Sequence, residues 1–380
     1  MVAVGHLGMR AWVMPHSFPG RFVQQDGGPI VPGYWFGWVG VEIFFVISGL
    51  VIANSAAAGT PMSFLRGRAT RLYPVAWISV LIIAALAVLM GVRAPERAAI
   101  QAIGAATLIP GAPLIDPVFW TLGVEVVFYA LVFGLAWLGR GDFLRLLAFG
   151  LGAASSLYIA GRHFDLFALP GILERLTLLR HGCFFALGIF FWMASKARLS
   201  RFEMAGAIVA GLAGAAEVYL KAGASAGSLE EQAQIGWLGA PVLVWGLAMA
   251  ALFVVATRNP SLPFPKVLRT LGLATYPYYL LHQSVGGAVM RPLLDVGVAP
   301  MGALAAALIA VFLVCWGICS VLERPLAKAL GQLIDWVEVR TLRKLPLAAG
   351  LYRPAAPSAA AVTGTSRPSL SSRAVPLKPS

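Results

Sequence analysis

Charge is what this chain has least of. Only 12% of its 380 residues are Asp, Glu, Lys or Arg, and only 16 are acidic, against about a quarter charged in soluble domains. That excludes an ordinary soluble enzyme. Cysteine is almost missing: Cys183, Cys315 and Cys319 lie inside apolar runs without metal-ligand spacing, so neither a disulfide framework nor a zinc site is expected. No G-x-S-x-G elbow, P-loop, H-E-x-x-H or C-x-x-C occurs, which removes the common hydrolase, nucleotide, zinc-protease and dithiol chemistries. Internal repeats and matched Gly/Pro-broken spans are also lacking, which counts against an inverted-repeat architecture. No basic segment precedes a long apolar stretch at Met1, so a cleavable signal peptide is not expected.

What the chain has is apolar length. Hydrophobic residues make up 59% and mean hydropathy is +0.80, more than one water-soluble core would bury and enough for about ten spans of about 20 residues. Hydropathy places spans near 36–55, 72–91, 118–138, 143–160, 180–195, 204–222, 236–257, 272–291 and 301–322. An N-terminal fragment, which reads as a helix starting in its middle at Met1, makes ten. The expected fold is all-α, a polytopic transmembrane bundle.

The net charge of +13 reads as topology rather than nucleic-acid binding. Arg66, Arg68 and Arg71 fall in the connection 55–71, Arg140 and Arg145 in 139–145, Lys196, Arg198 and Arg201 in 195–203, and Arg258, Lys266 and Arg269 in 258–270. These are alternate connections, as the positive-inside rule requires. The opposite set holds Glu230, Glu231 and Asp295, so both chain ends are expected in the cytoplasm. After Glu338 no acidic residue appears. Residues 1–338 therefore read as one membrane domain and 339–380 as a basic, Pro/Ala/Ser-rich disordered tail.

An ionisable residue inside a span costs a few kcal/mol and is a site candidate for that reason. His6, Glu42, Glu125 and His282 each have apolar neighbours on both sides. Glu125 stands four residues before Tyr129, so the carboxylate and phenol share a helix face and can form one hydrogen-bonded site or orient a histidine. Glu42 lies near the outer end of its span, where water is expected to reach it. Tyr276, Tyr279 and Gln283 form a stripe that can line a cavity, with Pro277 expected in the first helical turn and His282 offset by about 100°. Trp120 opens its span at aromatic-belt level. Arg180, beside His181, can meet an anion or snorkel to water. Arg66, Arg68 and Arg71 form a guanidinium cluster suited to phosphates at a cytoplasmic helix entry, and topology alone also explains Arg66 and Arg68.

Five ordered segments, VAVGH, GVEIFFVISGLVI, FLRGRATRLYP, WTLGVEVVFY and LGLATYPYYLLHQSV, followed by LERPL, resemble the acyltransferase 3 family of integral membrane O-acyltransferases, which acetylate O-antigen, exopolysaccharide and Nod factor. The resemblance covers residues 1–326 and leaves out only the tail. In that family the first helix carries an Arg, ten residues, then a His. Eleven helical steps turn about 1,100°, so both side chains share one face about 16 Å apart. His6 matches the His, and the Arg would fall before Met1. Arg10 and His16 are no substitute, being about 120° from facing each other across Pro15. Translation is accordingly expected to begin about 10 to 25 residues upstream.

The resemblance implies a multi-pass enzyme of the bacterial inner membrane. It would take an acyl group, acetyl in the first instance, from cytoplasmic acyl-coenzyme A to a hydroxyl of a cell-surface glycan or its lipid-linked precursor. No bound cofactor or metal and no nucleic-acid partner is expected. Within it His6 is the general base, Glu125 and Tyr129 complete the catalytic group, and Arg71, with Arg68 and Arg66, binds the donor. Glu42, Trp120, Tyr276, Tyr279, His282 and Arg180 stand in a second rank. Two other readings remain at this stage, a secondary transporter using His6, Glu125 and Arg71 as a relay, and an inactive truncated paralogue.

Overall fold

In the computed structural model the chain is all-helical among the residues it describes, which are 1–14, 16–23, 30–139, 142–227, 237–260, 263–340 and 350–352. Arg140, Glu230, Glu231 and almost all of the expected tail lie outside them. Among the described residues eight helical stretches are long and apolar enough to cross a membrane. They include α3 (Val39–Ala57), α4 (Pro61–Leu89), α6 (Trp120–Trp137), α7 (Phe143–His163), α9 (Gly182–Lys196), α10 (Arg201–Gly227), α11 (Ala240–Arg258) and α13 (Pro300–Gly317). Two further predicted spans are α1, over residues 2–13, and α12 (Pro265–Asp295). The first is short, and the second carries the polar run TYPYYLLHQS. The short helices α2 (Phe18–Val23), α5 (Pro95–Thr107) and α8 (Gly171–Thr177) occupy stretches that hydropathy left as connections. The amphipathic α14 (Glu323–Arg340) follows α13 through a π-helical turn at Ile318–Leu322.

Two boundaries differ from expectation. The arginines do not precede a helix at 72; they occupy the first three turns of α4, which Thr60 opens with a capping box to Ser63 and a proline in its first turn. A capped N-terminus lets the helix extend past the apolar run, and Pro74 sits in its interior. Likewise α12 starts at Pro265, so Pro277 lies mid-helix rather than in a first turn. Lys266 and Arg269 lower the hydropathy there without breaking the helix, since both are good helix formers.

Four apolar clusters form among the described residues, two large ones and two small ones that pack α1 against its neighbours. Of the large ones, one joins α3, α6, α7, α9, α10 and α11 with Phe64 of α4, and the second joins α2, α4, α5, α6, α12 and α13. The tightest crossing is α3 on α9 at Gly49 and Gly188. A Cβ on Gly188 would strike the Val46 carbonyl oxygen and lie 2.7 Å from the Leu50 nitrogen, and one on Gly49 would strike the Phe185 carbonyl oxygen. Small residues let backbones touch in a lipid environment, where dispersion replaces the hydrophobic effect as the driving force. Tyr129 and Tyr279 border both large clusters, so the polar residues gather at the seam between them.

Candidate functional site

The seam holds its first polar group where α1 meets α12. His6 Nδ1 lies 2.8 Å from His282 Nε2, and the two rings are within 8° of parallel. His282 Nδ1 lies 2.6 Å from the Tyr279 carbonyl oxygen, which only accepts. His282 therefore carries its hydrogen on Nδ1 and, when neutral, accepts at Nε2. His6 must then donate from Nδ1, which leaves the His6 Nε2 lone pair free. The Gln283 amide also lies 2.9 Å from His6 Nδ1. Turning its oxygen toward that N–H gives a partner to the buried Oε1, which otherwise has none. No described group bonds His6 Nε2, and His6 lines a cleft with Arg10, Met14, Trp35 and Trp38.

Local structure places this histidine. Residues His6–Arg10 are π-helical, with α-helical turns on either side. Such wide turns recur at functional sites because they re-aim side chains. Trp12 Nε1 donates to the Leu7 carbonyl at 3.0 Å, satisfying one backbone group that the irregular turn leaves over.

A second polar group lies where α3, α4, α6 and α12 converge. Tyr129 Oη donates to Glu125 Oε1 at 2.6 Å, and Ser48 Oγ donates to the same oxygen at 3.0 Å. The expected carboxylate–phenol pair is thus formed. Its partners are Tyr129 and Ser48, not a histidine, and no hydrogen bond among the described residues joins Glu125 to His6 or His282. Arg68 and Arg71 lie within electrostatic reach of Glu125. Arg71 bonds Glu323 at 2.6 Å and stands 6.0 Å from the Tyr276 ring. Arg68 reaches Ser55 at 3.3 Å. Arg66 makes a two-pronged pair with Asp335 of α14, at 2.6 and 2.9 Å.

Between the two groups α12 supplies a ladder. Tyr276 Oη bonds the Leu72 carbonyl at 3.0 Å. Tyr279 Oη bonds the Val118 carbonyl and meets Thr121, both at 3.3 Å, and its ring lies 5.9 Å from that of His282. The rise from residue 276 to 282 is about 9 Å. The stripe read from the sequence is present, and His282 stands in the same polar line, bonded to His6 of α1 and to the Tyr279 carbonyl of its own helix.

The remaining candidates form a third group. Glu42 is fully buried, contrary to the expected access to water, because α10 crosses it with Lys221 at 2.6 Å and His181 approaches at 3.7 Å. Arg180 neither snorkels nor waits for an anion; Glu217 holds it at 2.5 Å and Glu174 at 3.7 Å. Trp120 turns inward, 5.3 Å from the His181 ring, with Arg175 over its face.

Sequence reasoning passed over Asp116. It is fully buried at the entry to α6, accepts from the Val118 N–H at 2.9 Å and meets Ser284 Oγ at 3.4 Å. Burial raises its carboxyl to about 7. The missed signal was an acidic residue directly ahead of a Pro-led apolar run. No cluster of three or more His, Cys, Asp or Glu side chains that could hold a metal occurs among the described residues.

The family described as an acyltransferase domain matches residues 1–320. The exopolysaccharide production protein ExoZ of Rhizobium meliloti (strain 1021) is 29% identical over 325 residues, covering 78% of this chain and 91% of that protein. No solved structure matches the chain.

Proposed function

The chain belongs to the acyltransferase domain family, and from that premise we propose that it moves an acetyl group from coenzyme A thioester to a hydroxyl of an exopolysaccharide or its lipid-linked precursor. The observation that carries the proposal is the His6–His282 pair, which leaves His6 Nε2 free on an open cleft. In direct transfer the acceptor oxygen attacks the thioester carbonyl carbon as its proton passes to Nε2. The carbon–sulfur bond then breaks, and the proton goes on to the leaving thiolate, releasing coenzyme A as the thiol.

The donor enters at the opposite end of α3, where Arg68 and Arg71 stand on α4. Guanidinium groups suit its phosphates, and the Tyr276–Tyr279–His282 ladder marks the way from there to the base. Glu125 and Tyr129 sit beside that route. In this reading the protein lies in the inner membrane with the arginine ends in the cytoplasm, as the positive-inside rule has it. The name of the Rhizobium relative favours an exopolysaccharide acceptor.

The test is purified protein in liposomes with labelled acetyl-coenzyme A and an exopolysaccharide fragment. Label appearing on the glycan with release of free thiol supports the proposal. An intact thioester, with a solute instead moved across the bilayer, replaces it with the transporter reading.

A further inference from the structure

Among the described cations close to the base, Arg10 differs in its surroundings. Arg71 is held by Glu323, Arg180 by Glu217 and Lys221 by Glu42. Arg10 has no carboxylate partner among the described residues, is exposed, and lines the same cleft as His6. Among the described residues no Asp or Glu lines that cleft. The π-helical segment runs from His6 to Arg10, and at four residues' separation the two side chains share a face with Cβ atoms about 5–6 Å apart. Trp35 and Trp38 form another part of the wall. Trp35 is buried and Lys221 Nζ stands 4.4 Å over the Trp38 ring, so both indoles are fixed parts of the wall.

We propose that this cleft is an acceptor subsite selective for anionic glycans, in which Arg10 pairs with a carboxylate or phosphate of the acceptor while a nearby hydroxyl meets His6 Nε2. The proposal rests on the reading of His6 as base and names the acceptor class for that site. A guanidinium with no carboxylate beside it among the described residues is a ready anion receptor, and its forked donors suit either group. The distance from Arg10 to His6 places the anion about one sugar ring from the reacting oxygen.

Three probes test it: an oligosaccharide containing a uronic acid, the same oligosaccharide with its carboxyl reduced, and a neutral oligosaccharide on a polyprenyl diphosphate. Binding to wild type, Arg10→Gln and Arg10→Lys is measured calorimetrically in detergent, and acyl transfer is followed in parallel. Wild type is expected to bind one anionic probe about tenfold or more tightly than the reduced one. Arg10→Gln should bring that probe down to the neutral level, and Arg10→Lys should restore part of the difference. Preference for the uronic acid assigns the anion to the sugar, and preference for the diphosphate assigns it to the lipid carrier. Equal binding of all three probes by wild type, or a preference that survives in Arg10→Gln, overturns the proposal. A preference that depends on Arg10 without any acyl transfer would keep the anion site and sink the transferase reading, whereas transfer without preference does the reverse.

Discussion

His6 and His282 stand 276 residues apart in the chain and 2.8 Å apart in space, with the Tyr279 carbonyl closing the far side of the pair. That carbonyl sets which nitrogen of His282 bears hydrogen, and through it which nitrogen of His6 is basic. In the proposed mechanism the roles divide accordingly: His6 would take the proton of the acceptor hydroxyl, and His282 would orient His6.

His6→Ala should abolish acyl transfer, a loss of about 10² to 10⁴ in kcat, with the protein still inserted and monodisperse in detergent. His282→Ala frees the His6 tautomer and should lower kcat by a smaller factor, about 10 to 10². His282→Gln, whose carboxamide oxygen accepts from His6 Nδ1, should recover part of it. Steady-state kinetics with acetyl-coenzyme A distinguish these outcomes; equal loss in the alanine and glutamine variants would remove the orienting role.

Much of this was legible because membrane helices announce themselves by hydropathy, and because Glu125 and Tyr129 are neighbours on one helix. The pairings between helices were not. Arg71 with Glu323, Glu42 with Lys221 and His6 with His282 join residues from 179 to 276 positions apart, and no local period encodes which apolar faces meet. Lys221 was hidden by being a single cation inside a long apolar run. Asp116 carried only its place ahead of Pro117 as a signal, and its burial is what distinguishes it from an ordinary loop aspartate.

Arg71 serves two partners in this scheme, the donor phosphates and Glu323. Arg71→Ala should raise the KM for acetyl-coenzyme A by about tenfold and also lower thermal stability, since the mostly buried Glu323 loses its counter-charge. Arg71→Ala with Glu323→Gln should regain the stability and keep the high KM. If the double variant restores both, the arginine is structural alone.

At the α3–α9 crossing, Gly188→Ala should destabilise the protein by about 1–3 kcal/mol, because the added methyl meets backbone on α3 rather than a yielding side chain. Gly67→Ala, with nothing within 4 Å of the added atom, should be neutral or slightly stabilising, as expected for an interior helical glycine. Thermal unfolding in detergent compares the two; similar effects at both sites would mean the helices do not cross as described.

Asp116 makes stability depend on pH. Its carboxyl rises from 3.8 to about 7 on burial, so between those values the folded protein binds a proton that the unfolded chain releases. Stability from this group is full below about pH 4 and is lost as the pH climbs through 7. Wild-type Tm in detergent should therefore fall between pH 5 and pH 8. Asp116→Asn keeps an acceptor for the Val118 N–H and offers an amide N–H to Ser284 Oγ, which in wild type donates to Asp116 Oδ2, but has no charge to desolvate. Its Tm should change less over the same range and exceed that of wild type by a few degrees at pH 8. A wild-type Tm that rises toward pH 8, or an Asn variant with the same slope as wild type, would show that this carboxylate is ionised in the fold, with the Arg93 charge outweighing its burial.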